Sequence, residues 1–325
     1  MRFMEMNLST LAKHFSDEGA AWQLVEKMRW PNGPICPHCG DVGRAYFLQP
    51  RKPRTTTTGA VTYRRLWKCK VCRKPFSVLV GTIFERSQVP LSKWLLALYL
   101  MSASKNGVAA NELRRTLGVT QPTAWFMLHR LREAMRVSSL TTMRGTIVAD
   151  EAWIGGDPGN DHHHKGPRRM RPGENRHTEK TPVFSLINAT TGEVRSRVVP
   201  DVTGATLRKV MSKNVDMAGS VLWTDEGSWY DQLGREFIEH ATVNHSEDEY
   251  VRDGVTTNRA EGYFAQLKRS IDGTHHHVSR EHLHRYLAEH DFRFSTCKMS
   301  DTARMAKLID QAEGRRLTYR RVTAA

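Results

Sequence analysis

Cysteine is scarce in this chain, with five in 325 residues. A disulfide-stapled scaffold uses more, over a shorter chain, so the fold has to rest on packed cores or on bound metal. Long apolar runs are missing as well. The longest, residues 94–101, falls far short of the ~20 residues that a membrane-spanning helix needs. No apolar segment follows Met1, so no secretory leader is visible and no membrane partner is expected. The reading is a cytoplasmic protein in a reducing compartment, where thiolates stay available to metal. Acidic residues are in deficit, 34 against 49 Lys and Arg, for a net charge of +15 and a pI of about 9.8. That excess favours a polyanionic partner, DNA or RNA first, although a merely basic cytosolic protein would share it. No internal repeat is apparent. What is present in ordinary amounts, 39% hydrophobic and 26% charged residues, excludes wholesale disorder, and the length allows two or three domains.

Four of the five cysteines form two tight pairs, Cys36-Pro-His-Cys39 and Cys69-Lys-Val-Cys72. Each C-x-x-C turn offers two thiolates to one tetrahedral ion, so Cys36, Cys39, Cys69 and Cys72 read as a structural Zn²⁺ site. Redox-active pairs would instead sit singly at helix N-termini. Four thiolates fill the tetrahedron and leave His38 out. Strand character at residues 62–68 and 75–80, with a polar hairpin tip at 49–58, completes a zinc ribbon. The metal replaces a core that so short a segment cannot supply. Cys297, alone, reads as a small buried hydrophobe.

Ahead of the ribbon, residues 8–28 have helical spacing and stop at Pro31-Asn32-Gly33-Pro34. Behind it, residues 92–102, 110–117 and 122–135 read as three helices, with Gly118-Val119-Thr120 as the turn between the last two. Helix, tight turn, helix is a helix-turn-helix pattern. Its third helix carries Gln121, Thr123, His129, Arg130 and Arg132 as candidate DNA-facing groups, with a plain helical bundle as the competing reading. Beyond residue 139 the pattern alternates. Strands are expected at 144–149, 183–188, 193–199 and 220–223, helices from a Thr203 cap to 214 and over 257–271, and a basic loop between 157 and 180. Strands interleaved with helices imply an α/β or α+β domain with a mixed sheet. His162-His163-His164 in the loop reads as cationic loop, and His275-His276-His277 as a structural turn.

Asp150 and Asp225 each follow a β run, and Glu261 lies on the last of these helices. Strand ends on one sheet edge commonly converge in a cleft. Three converging carboxylates repel unless hard cations relieve them, and oxygen-only ligands suit Mg²⁺ or Mn²⁺. Two such ions can activate an attacking oxygen and stabilise a leaving one. Glu151 and Glu226 are neighbours that residue type alone cannot set aside. Asn258, Glu261 and Lys268 share one helical face, with Lys268 roughly 10 Å beyond Glu261.

The ordered blocks go further. They are the two cysteine pairs with Gly81-Thr82-Ile83-Phe84, Val148-Ala149-Asp150-Glu151, Ile154-Gly155-Gly156, Thr224-Asp225, Tyr230, Val243-Asn244-His245-Ser246, Thr257-Asn258-Arg259-Ala260-Glu261, Leu267-Lys268-Arg269 and His282-Leu283-His284-Arg285-Tyr286-Leu287. Together they resemble the ISXO-type insertion-sequence transposases, over about residues 22–294. The resemblance implies a multidomain α+β chain. Its segments would be an N-terminal helical segment (1–30), a zinc ribbon (31–84), a helix-turn-helix domain (88–138), a ribonuclease H-like mixed α/β catalytic domain of DDE type (143–296) and a C-terminal helical tail (297–325). It implies that Asp150, Asp225 and Glu261 hold two catalytic Mg²⁺ or Mn²⁺ ions, with Lys268 as the basic residue seven positions on. Some relatives use Asn as third ligand, so Asn258 rivals Glu261, which its charge and its spacing to Lys268 favour. Gln121, Thr123, Arg130, Lys268 and Arg269 would contact DNA. Phe264, Thr256 and Ser295 depart from the family's usual Trp, His and Asn, and removing no carboxylate they read as packing or substrate-contact changes. The activity implied is binding of terminal inverted repeats, strand cleavage and strand transfer into target DNA, by a homodimer or larger assembly associated with a bacterial nucleoid. A DNA-binding regulator with a non-catalytic platform, and a metal-dependent nuclease without strand transfer, are the competing functions.

Overall fold

The computed structural model describes residues 7–14, 17–49, 54–55, 61–62, 65–137, 141–155, 180–243 and 256–323. It divides into two compact units, residues 1–104, 108–135 and 299–325 in one, and 105–107 with 136–298 in the other. The basic loop up to residue 179, with its three histidines, and the Asn244-His245-Ser246 block lie outside the described residues.

In the first unit the single helix expected over residues 8–28 is two, α1 (Leu8–His14) and α2 (Glu18–Arg29). Asp17 starts the second. Its carboxylate accepts the Gly19 and Ala20 N–H groups at 2.9 and 3.2 Å, which caps α2. The ribbon contributes β1 (Ala45–Leu48), β2 (Arg54–Thr55), β3 (Val61–Thr62), β4 (Leu66–Cys69) and β5 (Pro75–Phe76). β1, β4 and β5 form an antiparallel sheet in that order, while β2 and β3 pair with each other. β5 is two residues long rather than the six expected, because the chain turns away after Phe76.

Three helices follow, α3 (Leu91–Ala103), α4 (Ala110–Leu117) and α5 (Gln121–Met135). The carboxylate of Glu18 on α2 accepts the Leu91 and Ser92 N–H groups, the latter at 3.0 Å. A negative charge thereby sits on the exposed donors at the start of α3. Gly118 ends α4 at φ +59, a left-handed conformation that favours glycine. The last two described helices are α9 (Asp301–Gln311) and α10 (Tyr319–Thr323). α9 packs on α2, α3 and α5, with Met305, Leu308 and Ile309 buried.

The second unit is built on a five-stranded mixed sheet. Its strands are β6 (Thr146–Ile154), β7 (Thr181–Asn188), β8 (Val194–Val198), β9 (Val221–Thr224) and β10 (Glu239–Thr242), in the order β10-β9-β6-β7-β8. β6, β7 and β8 run antiparallel; β9 and β10 join parallel on the other side of β6. Side chains alternate across the sheet. Ile147, Ala149, Phe184 and Leu186 face α6 (Gly204–Asn214) through Leu207 and Met211. Val148, Ala152, Val183 and Ile187 face α7 (Asn258–Ser270) and α8 (Arg280–Ser295) through Tyr263, Phe264, Leu267 and Leu287. At the end of α8 the Ser295 hydroxyl accepts the Val194 N–H at 2.9 Å and ties α8 to β8.

Candidate active site and metal centre

The ribbon gathers its four cysteines. Their sulfurs all lie within 4.8 Å of one another, with Cys36–Cys72 at 3.6 Å and Cys39–Cys69 at 3.7 Å. A tetrahedron with 2.3 Å Zn–S bonds has edges of about 3.8 Å, so the donor set fits one zinc ion. Both knuckles share a backbone form. The residue after each second cysteine is left-handed, Gly40 at φ +73 and Arg73 at φ +58, and backbone N–H groups of Cys72 and Val71 hold the Cys69 thiol down at about 7. His38 points its Nε2 at the Pro75 carbonyl, 3.4 Å away, rather than at the sulfurs. Behind the sheet, Trp30 meets Trp67 and Phe76 edge-on, and the Glu26 carboxylate accepts from Arg65 Nε and Trp67 Nε1 at 2.9 Å each. Cys297 is exposed, not buried as expected, because it lies in the turn that follows α8.

The acidic residues come from adjoining strands. β6 and β9 pair in parallel up to Val148↔Trp223; Asp150 and Asp225 each follow that last pair by two residues, Asp225 just past the end of β9. Asp150 lies within β6 rather than just after a strand, since β6 continues to Ile154. Alternation then separates the candidates. Asp150 lies on the α7 side with Val148 and Ala152, and Glu151 on the α6 side, where the buried Tyr230 hydroxyl donates to it at 2.6 Å. Glu226 is exposed. Glu261 stands on the exposed face of α7 with Asn258 and Lys268, while Ala260, Tyr263, Phe264 and Leu267 are buried.

Asp150 senses the other acids. Burial first, then the charges of Glu151, Asp225 and Glu261, push its carboxyl up to about 7. Burial likewise raises Glu151 to about 7, against the Tyr230 hydrogen bond, which lowers it. As a trio, Asp150, Asp225 and Glu261 are spread more widely than the sulfurs; among the described residues the cysteine quartet is the set of ligand atoms that falls within 4.8 Å. The donors are all carboxylate oxygens, and the neighbouring acids help raise the Asp150 carboxyl, which is the chemistry a hard divalent cation satisfies.

Beneath α7 lies a polar network that sequence reasoning missed. The Tyr263 hydroxyl donates to Asp291 Oδ1 at 2.7 Å, Asp291 Oδ2 accepts the Ser196 N–H at 2.8 Å, and Ser196 Oγ lies 2.7 Å from Tyr263 and 2.8 Å from Ser185 Oγ. An aspartate at helical spacing from Leu287, Ala288 and Phe294 in the α8 sequence was the available signal. His275, the first histidine of the second run, meets Tyr286 edge-on, 4.8 Å between centroids.

The α4–α5 region is placed differently from expectation. Gln121 is exposed and Thr123 half-buried at the start of α5, but Arg130 is 4% exposed and His129 and Arg132 are buried too. Arg130 donates to the Glu85 carbonyl and stacks on Trp94 and Phe126. Its guanidinium serves as an amphipathic packing piece.

Two stretches of the sequence match known families. Residues 142–295 match the ISXO2-like transposase domain, and residues 16–75 match the transposase zinc-ribbon domain. The chain carries an ISXO2-like transposase domain behind a transposase zinc ribbon. An uncharacterized protein in transposable element ISH50 of Halobacterium salinarum is 27% identical over 286 residues, which cover 86% of this chain and 92% of that relative. A transposase domain of this type implies DNA as partner and a divalent metal at its acidic site. Among the described residues no helix is long and apolar enough to cross a membrane.

Proposed function

We propose that this protein is the DNA transposase of an insertion sequence, that it binds the terminal inverted repeats of its element, and that it cuts and joins strands at Asp150, Asp225 and Glu261. The observation that supports the reading is the parallel β6–β9 pairing, which runs to Val148↔Trp223 and leaves Asp150 and Asp225 each two residues beyond that last pair. The strand arrangement, an antiparallel three-strand meander extended by two parallel strands with helices on both faces, supports a ribonuclease H-like fold.

Asp150 and Asp225 offer oxygens from the sheet, and Glu261 offers one from the helix above it. Glu261 is preferred to Asn258 because its charge already acts on Asp150. Two Mg²⁺ or Mn²⁺ ions held there would activate the attacking oxygen, water first and then a 3′-hydroxyl, and stabilise the leaving one. Tyr230 holds Glu151 on the far face, so that Asp150 alone of the two presents its carboxylate toward α7. Lys268, two helical turns beyond Glu261 and about 10 Å along the axis, would meet a DNA phosphate, with Arg269 beside it. α4, the Gly118 turn and α5 form the helix-turn-helix element, with Gln121 and Thr123 at its exposed tip. Two element ends held at once call for at least a dimer on DNA.

The test is strand cleavage on a duplex carrying the inverted repeat that flanks the coding region. Asp150→Ala should abolish nicking in Mg²⁺ and leave duplex binding intact. A fully active variant would reject the assignment, and a wild type that nicks but never yields a joined donor–target product would reduce the enzyme to a nuclease.

A further inference from the structure

Charge is distributed unevenly along this chain. Residues 31–84 contain ten Lys and Arg and one acidic residue, Asp41, so 10 − 1 = 9 of the net +15 falls in this stretch. The structure sorts those cations. Arg44 is bonded to Asp41, and Arg65 to Glu26, where it also stacks over Phe47. Lys68, Lys70, Arg73 and Lys74, flanking the second knuckle, have no ion-pair partner among the described residues. Lys70, Arg73 and Lys74 are exposed, and Lys68 is half-buried. Four thiolates outweigh one Zn²⁺ by two charges, and four cations exceed that remainder, so neutralising the cluster does not account for them.

The ribbon sheet has two unlike faces. Trp67 and Phe76 are turned onto Trp30, and Phe47 packs edge-on against Trp67. Tyr46, 44% exposed, pairs across the strands with Lys68 on the opposite face, near the exposed Leu66. Val71, 51% exposed, tips the second knuckle between Lys70 and Arg73. The mix of unpaired cations with an exposed aromatic and small apolar groups is suited to a sugar-phosphate backbone. α5 offers the contrast, since its Arg130 and Arg132 are withdrawn from solvent.

We infer that the outer face of the zinc ribbon, through Lys68, Lys70, Arg73 and Lys74, is a duplex-DNA backbone surface and supplies more of the protein's electrostatic grip than α5 does. Zinc then has a second consequence: it fixes the knuckle on which these cations are mounted. This inference rests on the transposase reading for its choice of partner.

The experiment is a salt titration of the full chain on a fluorescein-labelled 30-bp duplex of random sequence, from 50 to 200 mM KCl. Each phosphate contact contributes about 0.9 to the slope of log K against log salt. The triple variant Lys70→Gln/Arg73→Gln/Lys74→Gln should bind more weakly, with a slope shallower by about 2 to 3 and one zinc per chain retained. Lys70→Arg/Lys74→Arg should keep the wild-type slope. The control Lys209→Gln/Lys213→Gln, exposed on α6, should leave it unchanged. An unaltered slope in the triple variant overturns the inference while the transposase reading stands. Loss of zinc from that variant also overturns it, because the cations would then serve the cluster. Tighter binding to a matched RNA duplex overturns the choice of DNA. A wild type that binds no duplex takes the transposase reading down as well.

Discussion

At the scale of single residues, the acidic site is governed by repulsion. The folded Asp150 carboxyl, near 7, lies above its ordinary 3.8, so the fold binds that proton more tightly than the unfolded chain does. In cation-free buffer its contribution to stability is fully present below about pH 4 and is lost as pH rises through about 7. A divalent cation reverses that loss. Mg²⁺ should therefore raise the melting temperature far more at pH 8 than at pH 5. Asp150→Asn should melt above the wild type in EDTA at pH 8 and gain little from Mg²⁺. A wild type indifferent to Mg²⁺ at pH 8 would remove the basis for a metal at this site. Tyr230 works on the other face. Tyr230→Phe removes the Tyr230 hydrogen bond from Glu151 and should cost about 1–3 kcal/mol in urea unfolding; an unchanged midpoint would show that the hydrogen bond carries no net weight. Residue type could nominate Asp150 and Glu151 equally. Their separation came from the alternation of β6 between two helical layers, which needs the neighbours to be known.

Among the elements, local chemistry was legible wherever the determining atoms are close in sequence. The cysteine knuckles, the Gly118 stop, the Thr203 cap of α6 and the β7–β8 hairpin all depend on groups within a few residues. The break between α1 and α2 was also local, since Asp17 is a good N-cap, but the apolar spacing ran straight through it. Asp17→Ala should cost about 1 kcal/mol, read as a lower midpoint for the first unit, and no change would deny the cap its role. The knuckles make a sharper prediction. Gly40 occupies the left-handed position of the first, and Arg73 that of the second. Arg73→Gly should bind zinc at least as tightly as the wild type, with a gain of about 1 kcal/mol in stability. Destabilisation by this variant would mean that the arginine side chain holds the turn. Contacts distant in sequence were not legible. Glu18 at the start of α3, Ser295 on β8 and Asp291 beneath Tyr263 are polar groups whose partners lie 28 to 101 residues away.

Over the whole molecule, the C-terminal segment shows how far chain order departs from spatial order. Residues 299–325 pack with the first unit, although the entire second unit intervenes. Truncation after residue 298 removes Met305, Leu308, Ile309 and Val322 from the core of that unit. Each buried side chain of this kind contributes about 1.5–3 kcal/mol, so the truncated chain should lose the folded first unit and its zinc. The cooperative melt of residues 136–298 should persist. A truncated chain that keeps zinc and melts like the full one would refute that packing.

Short-range chemistry was determined by the amino-acid order alone: two metal-binding turns, the helix stops, the strand pattern and a strong basic excess all arise from neighbouring residues. Tertiary structure decided which carboxylate faces which helix, and that Arg130 packs inward while the knuckle cations stay in solvent. It also decided that the chain's end belongs with its beginning. The physical reason is the same in each case. A side chain's exposure and charge environment are set by the elements packed against it, and strand register and helix packing bring those together across separations that no local periodicity encodes.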